Sequence, residues 1–167
     1  MDNNKTKKIV LSSMFAALCC VATMIIKIPS PLKGYINLGD CVVLLSGFML
    51  SPLYAFLAAG IGSALADIFS GYIVFAPATF IIKGAMSLVA YYGVKIFQKK
   101  VSITSSRIIS SIAAEILMVL GYFVFEGFMY GFIPSLVNIP ASAIQGVAGI
   151  VLGVVLARIF DKSFKSF

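Results

Sequence analysis

The sequence predicts an all-α membrane protein, six transmembrane helices in one bundle, on three observations. Of 167 residues, 60% are apolar and only 11% charged, with a mean hydropathy of +1.05. A soluble domain is about 25% charged, so this chain has too little polar surface to cover a water-soluble globule. The apolar residues fall into runs of helical length with no alternating pattern, which argues against a β-barrel. At about 20 residues per crossing of a hydrocarbon core roughly 30 Å thick, the length accommodates six spans and short loops. The net charge of +7 lies on a background too apolar for a nucleic-acid-binding domain. It is read instead as topology.

The first helix is expected over residues 9–26, after a polar start carrying Lys5, Lys7 and Lys8. Such a start resembles a signal peptide, but no small-residue cleavage site follows, so a retained helix is the better reading. Pro29, Pro31 and Gly34 then stop a helix and predict an ordered, lid-like loop. The remaining helices are expected over residues 38–50, 54–71, 77–97, 107–131 and 138–160, the second ending at Ser51-Pro52. The whole chain is read as one substrate-binding transmembrane domain. With six spans, one side collects Lys5, Lys7, Lys8, Lys95, Lys99, Lys100, Arg107, Arg158, Lys162 and Lys165. The other side has only Lys27 and Lys33, so the rule that basic loops stay inside places both termini in the cytoplasm.

Small residues recur at four-residue spacing: Ala58, Gly62 and Ala66 on helix three, Gly149, Gly153 and Ala157 on helix six, and Ser12, Ala16 and Cys20 on helix one. This spacing allows close backbone approach in lipid. For helices three and six the expectation is packing within the protein. For helix one, internal packing and contact with another subunit stand on equal footing.

Histidine is absent, which removes Ser-His and Cys-His nucleophile pairs and most transition-metal sites. Cys19, Cys20 and Cys41 lack metal-binding spacing and are read as core residues. No glycine-rich phosphate loop is present, so the chain is not expected to hydrolyse nucleotide. No catalytic residue, cofactor or metal is assigned.

Charges inside membrane helices cost about 2.5–3.5 kcal/mol each on insertion scales and are usually functional. The candidates are Asp40, Asp67, Lys83, Glu115 and Glu126. The topology puts Asp40, Asp67, Lys83 and Glu126 in the outer half, where Asn138 and Gln145 join them, with Glu115 deeper. Glu115 and Glu126 are eleven residues apart and return to one helix face that also carries Tyr122. With Tyr35, Tyr72 and Tyr130 nearby, this set suggests an apolar pocket with a few orienting polar groups. The alternative is that Lys83 merely neutralises Asp67 or Glu126.

The stretch from Gly34 to Gly93 reads G-Y-I-N-L-G-D, then L-S-P-L-Y-A, A-G-I-G-S-A-L-A-D and G-Y-I-V-F-A-P-A-T-F-I-I-K-G. It resembles the substrate-binding S component of an energy-coupling factor (ECF) vitamin transporter, in the subfamily of riboflavin-, hydroxymethylpyrimidine- and pyridoxine-type members. The resemblance implies a multi-pass protein of a bacterial plasma membrane that captures a vitamin near the outer face under the first loop. It further implies a transmembrane coupling subunit and two cytoplasmic ATPase subunits as partners, and toppling in the membrane to release cargo. Helix one would meet the coupling subunit, where the family's A-x-x-x-A appears as Ala16-x-x-x-Cys20. The residues assigned to the solute are Asn37, Asp40, Asp67, Tyr72, Lys83, Tyr122, Glu126, Asn138 and Gln145, with Ser12, Ala16 and Cys20 for docking. The favoured ligand is a pyridoxine or hydroxymethylpyrimidine, with riboflavin as a further candidate. A stand-alone ion-coupled carrier using Glu115 and Glu126 as a relay is the alternative function.

Overall fold

The computed structural model describes residues 3–30 and 34–164. Pro31 and Lys33 of the first loop, and Lys165, lie outside the described residues. The chain runs α1 (Asn3–Ile25), β1 (Ile28–Pro29), β2 (Tyr35–Ile36), α2 (Gly39–Met49), α3 (Pro52–Phe69), α4 (Ala76–Phe97), α5 (Ile103–Tyr130), α6 (Phe132–Ser135), a 3-10 turn (Leu136–Asn138) and α7 (Ile139–Phe164).

Among the described residues, five segments are long and apolar enough to cross a membrane: Lys5–Ile25, Pro52–Phe69, Ala76–Phe97, Ile103–Tyr130 and Phe132–Asp161. The sixth helix, α2, has only 11 residues. At 1.5 Å per residue it is about half the thickness of a hydrocarbon core. Its surroundings explain how so short a helix is accommodated: Gly39 to Gly47 are all buried, against α1, α3, α4 and α7. A helix enclosed on every side has no lipid to match.

α1 and α5 start at least four residues earlier than the apolar pattern indicates. α1 includes the polar residues from Asn3, and α5 begins at Ile103 because Ser102 caps it, its hydroxyl accepting the Ser105 N–H at 3.2 Å. Gly131, at φ 95°, ends α5 in a conformation that favours glycine, and the chain then makes the short α6 that the sequence does not foretell. The first loop is a two-stranded hairpin, with Ile28 opposite Ile36 and Pro29 opposite Tyr35. The expectation of an ordered loop there is met by strands of two residues each.

Polarity is inverted relative to a soluble protein. Ile, Val and Leu face outward along every long helix, as at Leu53, Ile81, Ile116 and Val151, while Asp40, Lys83 and several serines are buried. An apolar exterior around a polar-studded interior is the arrangement lipid requires.

The small-residue stripes seat α2 and α1. A Cβ on Gly62 would lie 2.7 Å from Cys19 Cβ on α1, and one on Gly153 would lie 3.4 Å from Leu44 Cβ on α2. A Cβ on Gly149 would come within 2.8 Å of both Asp40 Cβ and Glu115 Oε1. Gly149→Val therefore forces α7 off α2, and an overpacking loss of about 1–3 kcal/mol is expected. It should appear as a lower melting temperature in detergent, with the lipid-facing Val151→Ala unchanged; equal melting of the two variants would contradict this packing.

Candidate functional site

At the end of the bundle where α1, α3 and α5 finish and α4 and α7 begin, a cavity of about 50 Å³ lies under the hairpin. Its lining joins residues from six regions: Tyr35 and Asn37 after the hairpin turn, Asp67 and Tyr72 at the α3 exit, Phe75 and Thr79, Tyr122 and Glu126 on α5, Asn138, and Ser142 with Gln145 on α7. One wall is aromatic. Tyr35 and Tyr72 lie 4.9 Å apart between ring centroids, Tyr72 and Phe75 6.2 Å, and Phe75 and Phe125 5.3 Å.

An ion pair lies next to the cavity, joined to its lining through Gln145. Lys83 donates to Asp40 Oδ1, while Gln145 Nε2 donates to Asp40 Oδ2 at 2.6 Å. The Gln145 carbonyl oxygen then accepts the Asn37 N–H at 2.9 Å, and the Asn37 side chain accepts the Gly39 N–H at 2.8 Å, where α2 starts. The partner of Lys83 is thus Asp40, rather than the Asp67 or Glu126 that depth alone suggested. Asp40 is 0% exposed and Lys83 3%, and neither lines the cavity. Lys83 Nζ lies 5.4 Å from the centroid of the Tyr122 ring, which does line the cavity. Two residues assigned to the solute therefore stand outside the cavity lining, paired with each other.

The walls keep two carboxylates. Glu126 accepts from Asn138 Nδ2 at 3.0 Å on each oxygen, and Asp67 Oδ1 accepts from the Tyr35 hydroxyl at 2.6 Å. Burial, with the Asp67 carboxylate beside it, raises the Tyr35 phenol above its ordinary pKa, so it remains a donor. The Thr79 and Tyr122 hydroxyls share a bond of 3.0 Å. Ser30 on the hairpin donates to Asn138 Oδ1. Among the described residues, the Ser30 and Tyr35 bonds attach the hairpin to the cavity walls.

Of the nine residues assigned to the solute from sequence, Asn37, Asp67, Tyr72, Tyr122, Glu126, Asn138 and Gln145 line this cavity. Tyr130 does not, and Glu115 belongs to a different place. It lines an apolar groove between α5 and α7 with Ile116 and Val147, and neither of its carboxylate oxygens has a hydrogen-bond partner. Sequence reading missed Ser30, Thr79 and Ser142. Thr79 is four residues before Lys83 and Ser142 three before Gln145, so helical spacing from the polar residues already chosen could have found both.

The docking candidates Ser12, Ala16 and Cys20 line an apolar groove between α1 and α3, together with Ala58, Ile61 and Leu65. The Ser12 hydroxyl is taken up by the Lys8 carbonyl at 2.6 Å. The groove is about 630 Å³.

With Lys83 paired to Asp40, Lys83→Met leaves Asp40 buried and uncompensated, at a cost of about 3–5 kcal/mol. Melting in detergent should fall sharply for Lys83→Met and recover in large part for Lys83→Met with Asp40→Asn; a single variant as stable as the parent would contradict the pairing.

Comparison with known proteins places this architecture. Residues 3–162 match the family model described as ECF-type riboflavin transporter, S component. The chain is 33% identical over 143 residues to an uncharacterized protein of Pyrococcus woesei, spanning 85% of this chain and 93% of that one. It is 24% identical over 165 residues to the thiamine precursor transporter HmpT of Lactococcus lactis subsp. cremoris (strain MG1363), covering 98% and 93%. A solved S component of a bacterial ECF transporter superposes with a TM-score of 0.78 at 27% identity, covering 96% of this chain and 99% of the other. The S component for biotin from an ECF-type ABC transporter superposes with a TM-score of 0.72 at 14% identity, covering 96% and 94%, and so shares the fold. Matched over nearly its whole length, the chain belongs to the S-component family of ECF-type riboflavin transporters, integral membrane proteins of vitamin uptake.

Proposed function

We propose that this chain captures a compact heteroaromatic vitamin or vitamin precursor in the cavity beneath the hairpin, for an ATP-driven importer. The observation that carries this reading is the cavity's composition: an aromatic wall faces Glu126, Asn138, Asp67 and Gln145, all at one end of an otherwise apolar bundle. Rings cover the faces of a flat solute and polar groups fix its edges, the usual division in a ligand pocket. The similarity to a thiamine precursor transporter favours a ligand of pyrimidine or pyridine size over a larger one.

At about 50 Å³ the cavity has room for a few waters. A vitamin needs more room, so the hairpin must withdraw during capture. Opening breaks its Ser30–Asn138 and Tyr35–Asp67 bonds. Each has a net value of about 0.5–1.5 kcal/mol, or up to roughly 3 where a carboxylate accepts.

In this reading the hairpin end faces outward, both termini are cytoplasmic, and α2 counts as the sixth crossing. The chain has no recognisable nucleotide-binding motif. Concentrating the solute therefore falls to two ATPase subunits acting through a transmembrane coupling subunit, for which the α1–α3 groove with Ala16 and Cys20 offers a seat. The rival ion-coupled carrier needs a path between Glu115 and Glu126. Eleven residues of helix separate them by about 16 Å, with Met118 and Tyr122 between, so the geometry gives that relay no continuity.

Calorimetric titration of the purified protein with a vitamin panel tests this directly. One small heteroaromatic compound should bind one to one, and Tyr72→Ala or Glu126→Ala should weaken it about 10–100-fold, equivalent to roughly 1.4–2.8 kcal/mol. Tyr35→Phe, which removes one hairpin attachment, should speed dissociation with little effect on melting. Unaltered affinity in the Tyr72 and Glu126 variants would remove the site, and uptake driven by an ion gradient in vesicles containing this chain alone would favour the carrier.

A further inference from the structure

The charge balance of the cavity carries an inference about its ligand that rests on the capture reading above and sharpens it. Asp67 and Glu126 are 5% and 6% exposed, and both line the cavity. The hydrogen-bond partners found for them are neutral: the Tyr35 hydroxyl for Asp67 and the Asn138 amide for Glu126. Among the described residues, three basic side chains are bonded to other partners. Lys83 is bound to Asp40, and neither lines the cavity. Arg107 forms a two-point pair with Asp161, at 2.6 and 3.1 Å, at the opposite end of the bundle. Lys27 is exposed and donates to Ser70 Oγ at 3.1 Å. Among the described lining residues there is no positive charge.

A buried carboxylate without a cation is costly, and a solute that brings positive charge or several N–H donors relieves that cost. A solute bearing its own carboxylate or phosphate increases it. The aromatic wall adds the same preference, because ring faces attract cations. We propose that the cavity selects the protonated or amine-bearing form of a small heteroaromatic ring and rejects carboxylated or phosphorylated forms of that ring. Selection of this kind separates two relatives of nearly equal size and shape, where contact area alone discriminates poorly.

The test uses the full-length protein in detergent and matched probes: pyridoxamine, pyridoxine, pyridoxine phosphate and pyridoxic acid, the aminomethyl, hydroxymethyl and carboxyl forms of one aminopyrimidine, and riboflavin. The aminomethyl member of at least one ring series should bind about tenfold or more tightly than its hydroxymethyl counterpart, a difference of roughly 1.4 kcal/mol. The carboxyl and phosphate members should fail to compete. In Asp67→Asn and Glu126→Gln, which keep side-chain shape, the ratio between amine and alcohol should fall toward one, with melting checked for each variant. An acid or phosphate that binds as well as its alcohol, or an amine preference untouched by both neutral variants, overturns charge selection and leaves vitamin capture standing. Failure of every probe, riboflavin included, to bind folded protein overturns the capture reading and this proposal with it.

Discussion

A positive charge buried in a membrane bundle must be neutralised in place, and the way Lys83 is neutralised organises the rest of this molecule. Asp40 accepts from Lys83 through one oxygen and from Gln145 through the other, tying α4, α2 and α7 together at a single depth. Gln145 passes the connection on to the Asn37 backbone, and Asn37 in turn starts α2. A continuous polar chain thus runs from the bundle interior to the base of the hairpin. It satisfies its own members, as buried polar networks must, and reaches the cavity lining at Gln145 and Asn37.

That network divides the charged residues into two groups with different work. Asp40 and Lys83 are paired with each other and lie outside the cavity lining. Asp67 and Glu126 are bonded to hydroxyl and amide groups and retain lone pairs toward the open space. The aromatic wall and the hairpin close the remaining sides. In the proposed capture the hairpin takes part as much as the walls do, because the space beneath it is only about 50 Å³. Membership of an S-component family fits a chain with a polar and aromatic cavity under a hairpin at one end of a membrane bundle.

The fold was legible because a membrane helix is written in composition. α4 begins within one residue of its expected start and ends where expected, and the small-residue stripes of α3 and α7 do face neighbouring helices. The elements that escaped are those with little pattern to read. Strands of two residues cannot show alternation, and α6 is one turn after a positive-φ glycine. The α2 helix is short because it is fully enclosed, which is a property of its neighbours rather than of its own residues. Within the site, depth along the helices was readable and lateral order was not. Asp40, Asp67 and Glu126 all stood near the level of Lys83, and only the three-dimensional arrangement of the helices decides which carboxylate it meets. Thr79 and Ser142 carry no charge and so gave no signal on their own.

The central claim is that solute is held above the ion pair by the carboxylates and rings, with Lys83 as support. A structure of the protein with its natural small molecule bound tests this most directly. The account predicts density between the Tyr72–Phe75 wall and the Glu126–Asn138 pair, the hairpin closed over it, and Lys83 still joined to Asp40. Density in which the solute contacts Lys83 Nζ, with Asp40 displaced, or which lies outside this space altogether, would contradict it.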